Sequence, residues 1–338
     1  MKLTTEQLRL AARGAVRIAD EDGAVHFYRF TEAQDEMYLA RKRDFWLKAR
    51  ASSGIRLSFR TDSPTLTLKV RAAHGASREW FVFEIRADGK TVGTLSNVPP
   101  MTNGTSDTGS HPLGEFSGEF RLGAGEKTVE IDFPWSVDGA VTECSLADDA
   151  SFAPSARPAK RFLYYGDSIT QGYDTAVPRL GLSFQVGEAF DAEVINRAIG
   201  GEIFVPSLAA LGDDFMPDAI LCAYGTNDWS SRKPDDFEAR CFGFLEALRR
   251  TYPTSKIVAL TPIWRADWDS KRTPIGAFVN IADCIRRAAA QYGGIEVIDA
   301  FSFVPPDPAL FSDRRLHPND DGFRYYGMNL TAALREVL

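Results

Sequence analysis

At 338 residues, 44% apolar and 25% charged, the chain is long enough for two cores and too apolar for extended disorder. Its net charge of −7 argues against a broad surface for nucleic acid or anionic membrane, since both need clustered Lys and Arg. The four cysteines (Cys144, Cys222, Cys241 and Cys284) form no CxxC pair and read as small buried hydrophobes, not as a disulfide or metal-ligand framework.

The N-terminal stretch to Gly23 lacks the apolar core of a signal peptide and reads as a short amphipathic helix capped at Thr4. No run reaches the ~18 apolar residues of a membrane span. A cytoplasmic address is the expectation, provided no leader has been lost. From about residue 22 to 145 the pattern is strand-like. Ile55, Leu57 and Phe59 alternate with polar residues, as do Leu66, Leu68 and Val70, and Val129, Ile131 and Phe133; period two marks strands with one wet face. Asp88-Gly89 between apolar runs signals a hairpin. Short strands without long helices between them predict an all-β sandwich over 1–146, jelly-roll-like, with Trp46, Trp80 and Trp135 in its core. Residues 147–160, rich in Ala, Pro and Ser, read as a linker.

From 161 to 338 the grammar changes. Apolar runs at Phe162–Tyr165, Glu193–Asn196, Ala219–Tyr224, Lys256–Thr261 and Ile295–Ile298 alternate with helical patterns such as Asp235–Thr251 and Gly276–Tyr292. That order predicts a parallel sheet covered on both faces, a three-layer α/β/α domain. Functional residues of such sheets gather at the C-terminal strand ends.

Four short blocks fall there. Gly166-Asp167-Ser168-Ile169 follows the first strand, where a serine hydroxyl is exposed beside backbone N–H groups that suit an oxyanion. Asn196-Arg197-Ala198-Ile199-Gly200-Gly201 follows the second, with glycines whose backbone can approach a ligand. Gly225-Thr226-Asn227-Asp228-Trp229 follows the third; Asn227 offers an amide N–H₂ to developing charge, and Asp228 reads as a loop anchor through backbone N–H groups. Asp313-Arg314-Arg315-Leu316-His317-Pro318 lies near the end, and His317 is the only histidine after the linker. Each block alone reads equally as a capped turn.

Taken in order, the blocks GDSI, NxxxxG, GTND and HP resemble those of the SGNH (GDSL-type) hydrolases. The resemblance covers roughly residues 160–338. It implies Ser168 as nucleophile, His317 as base, and an oxyanion hole of the Ser168 N–H, the Gly201 N–H and the Asn227 amide. Gly201 is preferred to Gly200 because the family spacing places the glycine five residues after the asparagine. The family's DxxH is broken here by Arg314, which cannot accept the imidazole N–H. Either Asp313 orients His317 across a helical turn, giving a triad, or a backbone carbonyl does so, giving a dyad. A β-sandwich ahead of such a domain is also similar to the acetyl-esterases of carbohydrate esterase family two.

The expected activity is serine esterase chemistry on short acyl esters, acetyl esters of carbohydrates in particular, with a small-molecule or oligosaccharide substrate and no cofactor, metal, nucleic acid or membrane. Asp167, Trp229, Trp264 and Arg314 are the candidate pocket residues. Trp268 reads as packing, and Arg265 as a solvated charge. The alternatives are a thioesterase or lysophospholipase, and a carbohydrate-binding protein with a degenerate hydrolase domain. Oligomeric state is not readable from the sequence.

Overall fold

The structure, a computed structural model, describes residues 1–338. Thr4 caps helix α1 (Thr5–Ala11): its hydroxyl accepts the Gln7 N–H while the Gln7 side chain accepts the Thr4 N–H. Two donors that a helix start leaves open are thereby satisfied.

Strands β1 (Ala12–Arg13), β2 (Arg17–Glu21), β3 (Ala24–Tyr28), β4 (Arg56–Thr61), β5 (Thr65–His74), β6 (Val82–Ala87), β7 (Lys90–Ser96), β8 (Gly114–Arg121), β9 (Lys127–Asp132) and β10 (Val137–Leu146) form two antiparallel sheets. Their orders are β1-β4-β9-β6-β7 and β2-β3-β10-β5-β8. The alternating residues Leu57, Phe59, Leu66, Leu68, Val129 and Ile131 are all buried in one cluster between the sheets. Each such side chain stabilises the sandwich by about 1.5–3 kcal/mol. Asp88 and Gly89, both at positive φ, close the β6–β7 hairpin. The stretch expected to be a linker contributes β11 (Ala153–Pro154), which pairs with β4.

Two expectations for this half of the chain need correction. Helices α2 (Glu32–Arg41) and α3 (Arg43–Ala49) interrupt the strands between β3 and β4. The start of α2 is a capping box of Thr31 and Gln34, a signal present in the sequence but masked by the β pattern around it. Phe30, Tyr38 and Ala49 from this excursion pack into the α/β core. The tryptophans do not fill the sandwich either. Trp46 packs against the α/β core. Trp80 and Trp135 meet edge to face in a small cluster with Tyr173, at the junction of the two halves.

In the second half β12 (Lys160–Gly166), β13 (Ala192–Asn196), β14 (Ala219–Ala223), β15 (Lys256–Leu260) and β16 (Ile295–Ile298) form a parallel sheet ordered β13-β12-β14-β15-β16. Helices α4 (Ser168–Gln171), α5 (Leu182–Phe190), α6 (Pro206–Ala210), α7 (Thr226–Ser231), α8 (Pro234–Thr251), α9 (Val279–Tyr292) and α10 (Asp320–Val337) follow the strands. Pleating splits β12 between two cores. Leu163 and Tyr165 face α8 and α9, while Phe162 and Tyr164 face α5 and α10. Both sheet faces are therefore covered, which is why the strands read as apolar runs and not as alternations. All four cysteines are free and buried. No helix is long and apolar enough to cross a membrane.

Candidate active site

Asp167 ends the turn after β12 and caps α4, its Oδ1 accepting the Ile169 N–H at 2.9 Å. The next residue, Ser168, is thereby held at the C-terminal edge of the sheet. Its Oγ lies 2.9 Å from His317 Nε2, and His317 Nδ1 lies 2.9 Å from Asp313 Oδ2. Asp313 Oδ1 accepts the backbone N–H groups of Arg315, Leu316 and His317 at 2.9, 2.7 and 3.2 Å. The four-residue separation is thus bridged, but not by a helical turn. The carboxylate caps the loop, Arg314 takes a left-handed conformation (φ 59°), and a bridge between Phe311 and Pro318 closes it. Burial works to raise the Asp313 carboxyl. The His317 hydrogen bond and the Leu316 and Arg315 N–H groups outweigh it and hold the group well below the usual carboxylate range.

The donors expected on the oxyanion side come from two other loops. Asn196 ends β13; its amide donates to Thr170 O (2.9 Å) and Ser53 Oγ (3.1 Å), and its Oδ1 accepts the Ala198 N–H. Buried Arg29, from the sandwich, donates to the carbonyls of Asn196 and Ala198. The Gly200 N–H is already taken, by Gln171 Oε1 at 2.8 Å. The N–H groups of Gly201 and Ser168 donate to no protein acceptor. Gly201 sits at φ 82°, a conformation open to glycine at no steric cost. Asn227 lies in the first turn of α7, and its Nδ2 donates to Glu202 O at 3.0 Å, leaving a second amide proton.

Two buried carboxyls lie behind this side. Burial pushes Asp167 up to about 6, against the Ile169 N–H and the charges of His317 and Arg265. Burial likewise pushes Asp228 up to about 7, against its hydrogen bond from the Phe204 N–H. Asp228 therefore ties the loop after β14 to the one after β13, a longer reach than the local turn expected of it.

The expected pocket residues fare differently. Trp229 is fully buried, donates its indole N–H to Gly276 O and packs against Phe278; it is a core residue, not a wall. Trp264 is buried against Phe311. Asp167 is buried and lines a void of about 20 Å³ together with Ile169, Tyr224 and Tyr326. Arg314 is exposed beside His317. Arg265 is not solvated: it is buried, pairing with Asp267 and donating to Thr226 and Ser230. Trp268 stays partly exposed, edge to face with Phe301.

Sequence reasoning missed what surrounds the site. Phe45 and Lys48 of α3 stand over Gly201. Arg41 of α2 makes two bonds, of 2.8 and 2.7 Å, to the fully buried Glu202. Tyr173 stacks on His317 (5.7 Å, 22°). Cavities of about 570, 310, 250 and 220 Å³ all lie away from Ser168 and His317. No group of three or more His, Cys, Asp or Glu side chains is placed to hold a metal ion. The arrangement can activate a hydroxyl and receive negative charge a few ångströms away, the two demands of acyl transfer.

Residues 164–325 match the profile of the GDSL-like lipase/acylhydrolase family. Among solved structures, the salicylyl-acyltransferase SsfX3 from a tetracycline biosynthetic pathway superposes with a TM-score of 0.80 at 22% identity, over 97% of this chain and 95% of that one. A family two carbohydrate esterase from Cellvibrio japonicus does so with a TM-score of 0.68 at 17% identity, over 99% and 97%. The acetyl xylan esterase Est2A from the rumen bacterium Butyrivibrio proteoclasticus gives 0.58 at 14%, over 85% and 90%. At these identities the likeness establishes the fold, in both halves of the chain. No curated protein sequence matches.

Proposed function

We propose, from the premise that the C-terminal domain belongs to the GDSL-like lipase/acylhydrolase family, that this carboxylic ester hydrolase removes short acyl groups, acetyl in particular, from carbohydrate esters. Ser168 is the nucleophile of that reading, and the contact that carries it is the continuous Ser168–His317–Asp313 chain at 2.9 and 2.9 Å. Ser168 Oγ attacks the ester carbonyl while His317 Nε2 takes its proton. Asp313 holds the Nδ1–H and stabilises the imidazolium as it forms. The new oxyanion is received by the N–H groups of Ser168 and Gly201 and by the Asn227 amide. His317 returns the proton to the leaving alcohol. A water, deprotonated by the same imidazole, then releases the acid.

The substrate class rests on two supports. The cavities of about 570 and 310 Å³ lie away from Ser168, so neither supplies the apolar channel beside the nucleophile that a lipase or thioesterase needs. Two fold neighbours are, by name, a carbohydrate esterase and an acetyl xylan esterase. A second reading, transfer of the acyl group to an alcohol in place of water, is favoured by the likeness to an acyltransferase.

The test is the initial rate of p-nitrophenyl acetate hydrolysis by wild type and by Ser168→Ala, followed by acetate release from acetylated xylo-oligosaccharides. Ser168→Ala is expected to lower kcat by about 10⁴ or more. Activity that survives the substitution removes Ser168 from the role. A preference for long acyl chains moves the enzyme to lipid substrates. Faster turnover with an added alcohol, and the transferred ester as product, favours the acyltransferase.

A further inference from the structure

We propose that Asp174 is a second carboxylate for His317, a positioning residue set in place by Arg78 of the sandwich. The proposal rests on the reading of His317 as the base. Asp174 is fully buried, at the end of the short segment that follows α4. Its Oδ2 lies 4.0 Å from His317 Nδ1, the same nitrogen that Asp313 meets at 2.9 Å. Arg78, in the β5–β6 connection, donates Nε to Asp174 Oδ1 at 2.9 Å and Nη2 to Oδ2 at 3.3 Å. Ser312 donates its hydroxyl to Asp174 Oδ2 at 2.6 Å and its N–H to His317 O at 2.8 Å. Asp174 thus stands 4.0 Å from the imidazole and, through Ser312, reaches the backbone of the base.

The surroundings fix it there. Asp174 adopts a left-handed conformation (φ 71°), uncommon for a residue with a Cβ. The backbone of Gly104, in the β7–β8 loop, presses so closely that a Cβ there would stand 1.6 Å from Asp174 O. The neighbouring Tyr173, stacked on the imidazole, is held by the same β5–β6 connection, whose Ser77 N–H donates to its hydroxyl at 3.3 Å, and by Trp135, which packs on its ring. Ser77 and Arg78 together make the sandwich part of the base's mounting.

The chemical consequence is a division of labour. Asp313 takes the Nδ1–H in the ground state. Asp174, polarised by Arg78, faces the positive charge that appears on the ring only as the proton leaves Ser168. An interaction made only with that charge acts on kcat and leaves KM alone.

The experiment is a double-mutant cycle of Asp174→Asn and Asp313→Ala on p-nitrophenyl acetate, with Ser168→Ala as the control for the site. Asp174→Asn is expected to lower kcat with KM unchanged, and to cost about tenfold more in the Asp313→Ala background, where the imidazole has one carboxylate left. Equal factors in both backgrounds, or an effect on KM alone, overturns the proposal and leaves Asp174 as a scaffold residue. Should the buried Arg78, deprived of its partner, unfold the single variant, the pair Arg78→Gln with Asp174→Asn removes both charges and is held to the same asymmetry. The His317 Nδ1–H proton resonance, which needs no turnover, separates this proposal from the proposed reaction. An inert wild type whose resonance still moves with Asp174→Asn refutes the reaction and keeps the positioning. A resonance that does not move refutes the positioning.

Discussion

In the proposed reaction Ser168 is flanked by two half-sites built in opposite ways. On the base side, Asp313 and His317 share one loop, and a single carboxylate both caps that loop and holds the imidazole. On the oxyanion side, Gly201 and Asn227 come from different strands. Their loops are held by Arg29, Gln171 and Asp228 and by the Arg41–Glu202 pair, drawn from separate elements. The charges are opposed as well. The base side keeps its carboxyl ionised, far below the usual range, beside a group that becomes positive. On the oxyanion side burial works the other way, pushing Asp167 up to about 6 and Asp228 up to about 7 and so disfavouring negative charge beside a place that becomes negative. Polarity at the two flanks is set in advance of the reaction, which is where preorganised sites gain most.

The comparison predicts different failures. Asp313→Ala is expected to lower kcat by about 10³–10⁴, the range of a triad that loses its acid, measured on p-nitrophenyl acetate. Because the same carboxylate caps its loop through three backbone N–H groups, the melting temperature should fall as well. A kcat loss below about tenfold would transfer the orientation of His317 to another acceptor. Asn227→Ala is expected to cost about 10²–10³ in kcat, as for other side-chain oxyanion donors. Here stability should fall too, since the bond to Glu202 O is lost and with it a tie between two loops. An Asn227→Ala enzyme with unaltered melting would show that the bond to Glu202 O does not tie the two loops together.

The same contrast governs what could be read in advance. His317 was legible as the last block, whereas Asp313, displaced from the family spacing, stood beside a backbone carbonyl as an alternative; the turn that brings it to the imidazole is a capped loop and not a helix. Ser168, Gly201 and Asn227 were legible as short blocks after strands. Gly200 was set aside on the family's spacing, and in the structure its N–H donates to Gln171. The sandwich strands were legible through period two and the parallel sheet through apolar runs. Not legible were the side chains that cross from one half to the other. Arg29, Arg78 and Arg41 look like any solvated arginine in sequence, and their role depends on carbonyls and carboxylates well over a hundred positions away in Arg29 and Arg41 and 96 away in Arg78. Trp229 and Trp264 misled for the converse reason: an aromatic near a catalytic block packs inward as readily as it lines a pocket.

The smallest effect is the one that tests the charge contrast directly. Asp228 is fully buried, its Oδ1 accepts the Phe204 N–H, and its Oδ2 has no partner. The folded protein therefore holds a proton there up to about pH 7, whereas the unfolded chain releases it near 4. Between those values the native state binds more protons than the unfolded state, so this group lowers stability as pH rises, and the loss levels off above 7. Asp167, at about 6, acts in the same direction over a narrower window. Asp313 acts in the opposite direction, but below pH 4, where a depressed carboxylate loses its contribution. Asp228→Asn keeps the acceptor for Phe204 and cannot ionise. Urea melts of the two proteins should nearly coincide at pH 4.5 and diverge toward pH 8 in favour of the variant, by on the order of 1 kcal/mol per pH unit across the window. Parallel curves would mean that Asp228 is ionised in the folded protein across the whole range, and that burial does not hold a proton there.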